Sequence, residues 1–471
     1  MDNRKYNIFF HLHTVSGIVI CVGLFIIFFA GAFTLFVHPI EHWEANPGQQ
    51  IHAEAAVSGS KLDLNKVTAA IKKEGYDLYG RNLYLSPIDE NEWSVYLSET
   101  ADSTASGEAK KNQQLKLDGD TYKISKRDGD FSLGSLLYDL HFYYQLGNFG
   151  YYLSGIVALF FLFALVTGVL IHWEKIISNF YVFRPKEKLK TVWTDAHTAL
   201  GTIGLPFQFM YALTGAMFGL GILVSLSGSI LYGGDRDKFY SELHGEHHDS
   251  LGVRVDVSSV DLNVFLDSAR NHWEGFEPKF LSMLKCESST MQFRAYGFIN
   301  PKIKFLNGGE VAFDVFTGKV THEHNPYAIP YSESVWPVVW KLHYADYGEI
   351  GTLEDYLLKA VYFLMAIATC FVIISGVLIW LEARNKKSTP EKEKRYNKRV
   401  GYIYLAICLA MFPVTAFSFL VSKLLPESIS EHREILLNAV FSEDGFSCLS
   451  GYFSERAITL LLNIRFYRAV F

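Results

Sequence analysis

The sequence predicts an α-helical integral membrane protein with two extracytoplasmic α+β domains and an internal parallel duplication. Three observations lead to this fold class. Five long apolar stretches contain no Asp, Glu, Lys or Arg, several short motifs occur once in each half of the chain, and basic residues are concentrated between particular stretches. With 471 residues, the chain is long enough for several domains.

The five apolar stretches are predicted to be transmembrane helices, and the fourth span also takes in Lys359 near its start. About 20 apolar helical residues cross the hydrocarbon core of a bilayer, which is roughly 30 Å thick. The predicted spans are 14–37, 147–172, 198–224, 357–381 and 400–422. The first span is longer than the apolar region of a cleavable signal peptide, and no Ala-x-Ala-like site follows it, so we expect it to remain in the protein.

The distribution of Lys and Arg predicts the side of the membrane on which each loop lies. Basic residues cluster in the loops 174–195 and 382–399, and Arg4 and Lys5 precede the first span. Because basic loops stay in the cytoplasm, we expect a multi-pass membrane protein with a cytoplasmic N-terminus. The basic loops are then topology signals beside membrane lipid, and they do not predict binding to nucleic acid.

These assignments divide the chain into six regions. They are the first span (1–38), the first outer domain (39–138), the second and third spans (139–228), the second outer domain (229–341), the fourth and fifth spans (342–424), and a C-terminal segment with a possible sixth helix (425–471). Two spans in each half restore the starting side of the membrane, so the halves are predicted to be parallel repeats.

Each outer domain is predicted to contain an amphipathic helix packed on a small antiparallel sheet. The helices begin in matching segments, 62–65 and 260–263, both of which read Asp-Leu-Asn after an apolar residue. Alternating apolar and polar residues predict strands at 83–85, 94–97, 114–124, 280–284, 291–295, 302–305 and 310–316. Gly308-Gly309 is a hairpin signal, and residues 98–112 are predicted to form a loop.

Two repeated histidines lie near the predicted cytoplasmic face. His13 precedes Gly17 by four residues and His197 precedes Gly201 by four, so each histidine shares a helix face with a glycine. A glycine there lets a flat macrocycle approach the backbone closely. We therefore expect this pair to supply the two axial ligands of one b-type haem. The alternative is a pair of interfacial histidines that bind lipid head groups.

A second repeated pair, His141 and His343, lies on the outer side. Each is followed by an aromatic segment and by glycines before the next span. We expect this pair to hold a second haem b, so that two cofactors divide the roughly 30 Å of hydrocarbon that an electron must cross. The alternative is an interfacial aromatic belt with a capping histidine.

Three further histidines, outside the two repeated pairs, are also candidate ligands. His172 has Trp380 as its counterpart and could replace either His13 or His197. His38 and His42 lie at the outer end of the first span, where they could serve the outer haem or line a substrate entrance.

The sequence contains few signals for other metal, disulfide or nucleotide sites. Two outer tracts, around His244, His247 and His248 and around His322 and His324, could bind a metal transiently but are expected to be solvated loops. Five scattered cysteines without Cys-x-x-Cys-His exclude a disulfide framework and a c-type haem. Because no nucleotide fingerprint occurs, we expect electrons to come from a cytoplasmic partner or a quinol.

Taken together, these motifs resemble the PepSY-associated transmembrane helix family. The resemblance covers residues 5–425 and rests on four features: His-Thr-x-x-Gly at 13 and 197, Leu-His at 140 and 342, Gly-Val-Leu-Ile at 168 and 376, and two small outer domains, which are then PepSY-like. Members are known as iron-regulated membrane proteins, and some are haem-containing ferric-siderophore reductases of the inner membrane. The chain lacks the flavin reductase domain to which some relatives are fused, and its second half lacks a counterpart of His172.

The resemblance implies an enzyme, a ferric-chelate oxidoreductase that passes electrons through haem to Fe(III) in a periplasmic siderophore or other ferric chelate. Reduction releases the iron, because hard-oxygen chelators bind Fe(II) weakly. Two alternatives remain open. The chain could be a non-enzymatic, membrane-anchored PepSY module that binds or inhibits envelope proteases, or a haem electron carrier for another envelope redox protein.

Overall fold

The computed structural model describes residues 2–45, 62–88, 91–126, 132–235, 250–348 and 351–424. The predictions for the histidine tract at 244–248 and for a sixth helix within 425–471 lie outside these residues. The helices are α1 (Asn3–Thr34), α2 (Val37–Ala45), α3 (Leu64–Lys73), α4 (Leu133–His141), α5 (Gly147–His172), α6 (Ile176–Phe180), α7 (Leu189–Leu231), α8 (Asn263–Arg270), α9 (Tyr331–Tyr344), α10 (Leu353–Arg384) and α11 (Glu391–Leu424). The strands are β1 (Leu83–Pro87), β2 (Glu92–Leu97), β3 (Gln113–Asp118), β4 (Ile124–Lys126), β5 (Glu277–Leu284), β6 (Gln292–Phe298), β7 (Gly308–Asp314) and β8 (Val320–His324).

Five of these helices, α1, α5, α7, α10 and α11, are long and apolar enough to cross a membrane. Four of the predicted spans lie inside a helix, and the first overruns the end of α1 by three residues. The helices extend beyond the predicted spans because charged residues prolong them outside the apolar core. The predicted basic loop 382–399, for example, contains the end of α10 and the first residues of α11.

The membrane helices form one bundle around α1. Helix α1 packs on α5, α10 and α11, while α7 packs on α5 and α10. Helices α5 and α7 come closest at Gly155 and Gly219, where a Cβ on either residue would lie within 2.7 Å of the other's backbone. Small residues allow such close approach, which is how helices gain packing energy inside a membrane.

The two outer segments share one sheet. Its eight antiparallel strands have the order β4-β3-β2-β1-β5-β6-β7-β8, and β1 pairs with β5 through Leu83↔Met283 and Leu85↔Leu281. Side chains of α3, α8 and both sets of strands pack in a single hydrophobic core. The expected two separate α+β domains are therefore corrected to one antiparallel sheet domain built from two segments.

The repeated Asp-Leu-Asn motifs join the two segments. Asn263 Oδ1 accepts a hydrogen bond from Leu64 N at 2.9 Å, and Asn65 Oδ1 accepts one from Leu262 N at 3.1 Å. Each asparagine thus binds an otherwise unpaired N–H at the start of the other segment's helix. The hydrogen bond from Asn263 also holds the pKa of the Asp63 carboxyl below its usual value. Each asparagine can accept this hydrogen bond only because the two outer segments pack against each other.

Some predicted strands differ from the structure. The predicted strand 114–124 is two strands, because Asp118 accepts hydrogen bonds from Thr121 and closes a turn after β3. Residues 302–305 form turns, and Gly308-Gly309 begins β7 rather than a hairpin. Strand β8 was not predicted, since its residues Val320–His324 lack apolar alternation.

Candidate functional site

The bundle contains two histidine-lined cavities. One cavity lies at the end of the bundle away from the sheet and is called the far-side cavity. It has a volume of about 580 Å³, and its lining includes His13, His172 and His197. The sheet-side cavity, of about 230 Å³, is lined by His141 and His343. His13 and Ile27, whose carbonyl contacts His141, are fourteen residues apart on α1, or about 21 Å along the helix axis. The two cavities are therefore stacked along α1.

Both histidines of the far-side pair are oriented by a backbone carbonyl of a neighbouring helix. His13 Nδ1 donates to Ala164 O of α5 at 2.8 Å, and His197 Nδ1 donates to Val372 O of α10 at 2.9 Å. A carbonyl oxygen can only accept, so each ring carries its proton on Nδ1. The lone pair of each Nε2 is then available to a ligand or metal.

The sheet-side pair has the same tautomer. His141 Nδ1 donates to Ile27 O of α1 at 2.8 Å. His343 Nδ1 lies 2.8 Å from Thr214 Oγ1, whose single hydrogen is directed to Met210 O, also at 2.8 Å. Thr214 Oγ1 can therefore accept from His343 Nδ1. All four histidines have the outer contact that metal-ligating imidazoles use to set ring orientation.

The spacing within each pair fits two axial ligands of one metal ion. The ring centroids of His13 and His197 are 6.2 Å apart, and those of His141 and His343 are 5.9 Å apart. Two imidazole nitrogens bound on opposite sides of a metal ion at about 2 Å each place their ring centroids about 6 Å apart. The residues present thus fit an iron ion held between each pair, as in a bis-histidine haem.

Glycines leave room for three of the four rings. A Cβ on Gly168 would lie 3.2 Å from His13 Cε1, and one on Gly376 would lie 3.3 Å from His197 Cε1. A Cβ on Gly31 would lie 2.6 Å from the His141 ring, which is too close for any side chain. Gly17, by contrast, faces open space in the far-side cavity, where a flat ligand could lie against the α1 backbone.

Helix α4 carries His141 at its last position and is fixed at its first. Ser132 forms a reciprocal capping box with Ser135, and the Glu44 carboxylate accepts a hydrogen bond from Leu133 N at 2.8 Å. Glu44 is buried and also contacts the Ser422 hydroxyl of α11. Carboxylates stabilise helix N-termini, so Glu44 positions the helix that presents His141.

The chain turns in the same way after both sheet-side histidines. Tyr143 and Ala345, each two residues after its histidine, adopt left-handed conformations with φ of 58° and 55°. Such conformations are uncommon for residues other than glycine. Their recurrence at matching positions indicates that each turn is needed to direct the following chain into α5 or α10.

The far-side cavity contains polar residues that the sequence did not single out. Gln208 is 2% exposed, lines the cavity, and its Nε2 has no hydrogen-bond partner among the described residues. Lys190 and Arg384 also line the cavity, and the Arg384 guanidinium lies 4.4 Å from the Trp380 ring centroid. Gln208 is the one amide side chain in the predicted span 198–224, and that feature could have identified it.

Aromatic side chains dominate the sheet-side cavity. Phe218, Tyr344 and Tyr211 stand 5.1, 5.3 and 5.8 Å from the His343 ring centroid. Leu24 and Phe161 line both cavities and form part of the wall between them. The sheet domain reaches this end of the bundle, where Phe305 stacks on Tyr347 at 5.4 Å. The sheet-side cavity is thus close to the sheet domain.

The remaining candidate histidines are distributed differently. His172 joins the far-side pair, as the sequence allowed, whereas His38 and His42 line neither cavity. His38 is 76% exposed and lies 3.4 Å from a Glu41 carboxylate oxygen. His324 contacts Glu333 at 2.6 Å. Within the described ranges, no three His, Cys, Asp or Glu side chains are grouped as a metal site.

Comparisons with known proteins agree with the fold. An uncharacterized protein of Pseudomonas aeruginosa is 23% identical over 295 residues, which cover 62% of this chain and 73% of that protein. The family described as PepSY-associated TM region matches residues 10–383, which include most of α1, all of α5 and α7 and almost all of α10, together with the whole sheet. The chain is therefore a multi-pass membrane protein that belongs to the PepSY-associated TM family.

Proposed function

We propose that this protein is a b-type haem oxidoreductase of the bacterial inner membrane that transfers electrons to a periplasmic ferric siderophore or other ferric chelate. The far-side cavity then faces the cytoplasm, and the sheet domain lies in the periplasm. A haem in each cavity would supply reversible one-electron exchange at its iron. Electrons would come from a cytoplasmic partner or a quinol.

One observation carries the proposal. Four histidines form two facing pairs, with ring centroids 6.2 and 5.9 Å apart, and every Nδ1 is engaged by an acceptor. Histidines that only met lipid head groups would have no reason to share one tautomer and one spacing. An Nε2 lone pair directed across a cavity is costly inside a membrane unless something binds it.

The surrounding residues have separate tasks. Leu24 and Phe161 exclude water between the two cavities. The sheet domain is tied to the helix that carries His343, because His324 of β8 contacts Glu333 in the first turn of α9. A ferric chelate bound beside α9 would therefore be held near the sheet-side pair. Iron reduced there dissociates, since Fe(II) binds hard oxygen donors weakly.

The test begins with the spectrum of the purified protein in detergent. We expect dithionite to produce a b-type α-band, and Fe(III)-citrate or a ferric trihydroxamate chelate to reoxidise the haem while a ferrous-specific dye detects Fe(II). Absence of the band would refute the haem assignment. A band that neither chelate reoxidises would refute the reductase and favour an electron carrier for another redox protein. His272→Ala, in the sheet domain, should leave this spectrum unchanged, because His272 lines neither cavity.

A further inference from the structure

The charged groups of the far-side cavity all have the same sign. Its lining includes Lys190, Arg384 and four histidines (His11, His13, His172 and His197), but no Asp or Glu. Lys190 precedes His197 by seven residues on α7, and Arg384 follows Gly376, which flanks His197, by eight residues on α10. Both cations therefore lie about 10–12 Å along the helices from the histidine pair, at the end of the cavity farthest from the sheet.

These two cations have no carboxylate partner in the described part of the chain. The Arg384 guanidinium stacks on Trp380 and makes one hydrogen bond, from Nη1 to Trp380 O at 3.4 Å, although arginine has five N–H donors. Arg184, at the same end of the bundle, is instead bound by both oxygens of Asp195 at 2.9 Å. Arg384 is half-buried and Lys190 is exposed at the rim. A half-buried cation without an anion is unfavourable, so the anion that Arg384 lacks is expected from a ligand.

The sheet-side cavity lacks such cations. None of its lining residues is Lys, Arg, Asp or Glu, and its polar groups are mainly hydroxyls such as those of Tyr138 and Tyr344, which lie 3.4 Å apart. The two cavities thus share a histidine pair and differ in whether a charged ligand would be neutralised. Only the far-side lining supplies cations to the carboxylates of a ligand.

We propose that Lys190 and Arg384 bind the carboxylates of a flat, apolar dianion whose body lies between His13 and His197. This inference rests on the proposed function, and for haem it means that both propionates point away from the sheet. Arg384 suits a planar carboxylate because its donors form a fork, and Trp380 holds that fork at the cavity edge. The two cations also favour the reduced haem, which carries one more negative charge.

The test compares hemin with hemin dimethyl ester, whose carboxylates are neutral. Each would be titrated into haem-free protein carrying His141→Ala and His343→Ala, so that only the far-side cavity can respond. We expect hemin to bind at least tenfold more tightly than the ester. Adding Arg384→Gln and Lys190→Gln should remove this preference, leave the ester affinity unchanged and lower the midpoint potential of bound haem.

The matched control is Arg395→Gln with Lys398→Gln, which removes two exposed charges of α11 that do not line the cavity. Unchanged ester affinity in the Arg384/Lys190 variant also shows that the cavity is still folded. Equal affinity for hemin and ester in the parent protein would overturn the inference while leaving the haem assignment intact. Failure of both compounds to bind would overturn the inference together with the proposed function.

Discussion

The two cavities are alike in their histidines and unlike in their surroundings. Each has a facing pair with Nδ1 protonated and ring centroids about 6 Å apart. The far-side cavity is cationic at its end, whereas the sheet-side cavity is less than half as large and is lined by aromatic rings. The comparison shows that repeated residues can specify the same ligands while the surrounding helices specify different sites.

The two cavities differ first in volume, which affects how easily each can take up a cofactor. Ligand pockets usually enclose about 300–1,000 Å³, so the far-side cavity of about 580 Å³ is already formed, and the sheet-side cavity of about 230 Å³ is below that range. The rings of Phe218, Tyr211 and Tyr344 stand directly against His343. Entry of a large cofactor there requires these rings to turn, which costs binding energy. We therefore expect haem to bind the far side first.

Replacing either histidine pair should have the largest effect, the loss of hemin binding in one cavity. We expect hemin titration of the haem-free protein to show two sites, with the first bound at least tenfold more tightly. Replacing His13 and His197 by alanine should abolish the tight site, while replacing His141 and His343 should abolish the weak one, because each ring would supply a metal ligand. Loss of the tight site in the second variant would reverse the assignment.

Filling the far-side cavity should give the next largest effect. Gly17 faces open space, so Gly17→Leu fits the haem-free protein but occupies the space beside His13. We expect far-side hemin affinity to fall at least tenfold, with sheet-side affinity unchanged. Val19→Leu is the control, because Val19 is 75% exposed on the outside of the same helix. Similar affinities for both variants would show that the ligand does not lie against Gly17.

A smaller effect is expected at Gly31, which acts on the sheet-side cavity alone. A Cβ at Gly31 would meet the His141 ring at 2.6 Å, so Gly31→Ala should push the imidazole away from Ile27 O. Losing a hydrogen bond of about 1 kcal/mol corresponds to a roughly fivefold loss of sheet-side affinity. Gly215→Ala is the milder comparison, because its Cβ would meet Ala158 Cβ at 3.4 Å. An equal or greater loss at Gly215 would contradict the steric argument.

The smallest change is expected from Glu44→Gln, which weakens the start of α4. Replacing a helix-capping carboxylate costs about 1 kcal/mol, so we expect a thermal midpoint lower by a few degrees and faster haem loss from the sheet side only. Exposed Glu74→Gln should change neither measurement. Faster loss from the far side instead would show that Glu44 does not act through His141.

Much of the fold follows from the sequence because a bilayer imposes strict requirements on composition. The spans could be predicted from uncharged length alone, and α5 matches its predicted bounds at Gly147 and His172. The edge of the sheet domain was less predictable. Strand β8 is polar on both faces and is recognised only through its pairing with β7.

The candidate site was predictable in part. The repeat predicted that His13 would meet His197 and that His141 would meet His343, and the structure places both pairs together; their role as haem ligands remains a prediction. Gln208, Lys190 and Arg384 were not predicted. The amide of Gln208 within an apolar span was a signal that could have been used, whereas an unpaired cation cannot be recognised until its neighbours are known.

The sequence by itself determined the five spans of the described residues, the candidate ligands and their division into two pairs. Those properties depend on residue type and spacing along the chain, which hydrocarbon thickness and helix geometry convert directly into position. Only the tertiary structure decided that β1 and β5 join two segments into one sheet, and that the two cavities differ in volume and charge. Such differences arise from contacts between residues far apart in the chain, so the repeat that predicts the ligands is silent about what surrounds them.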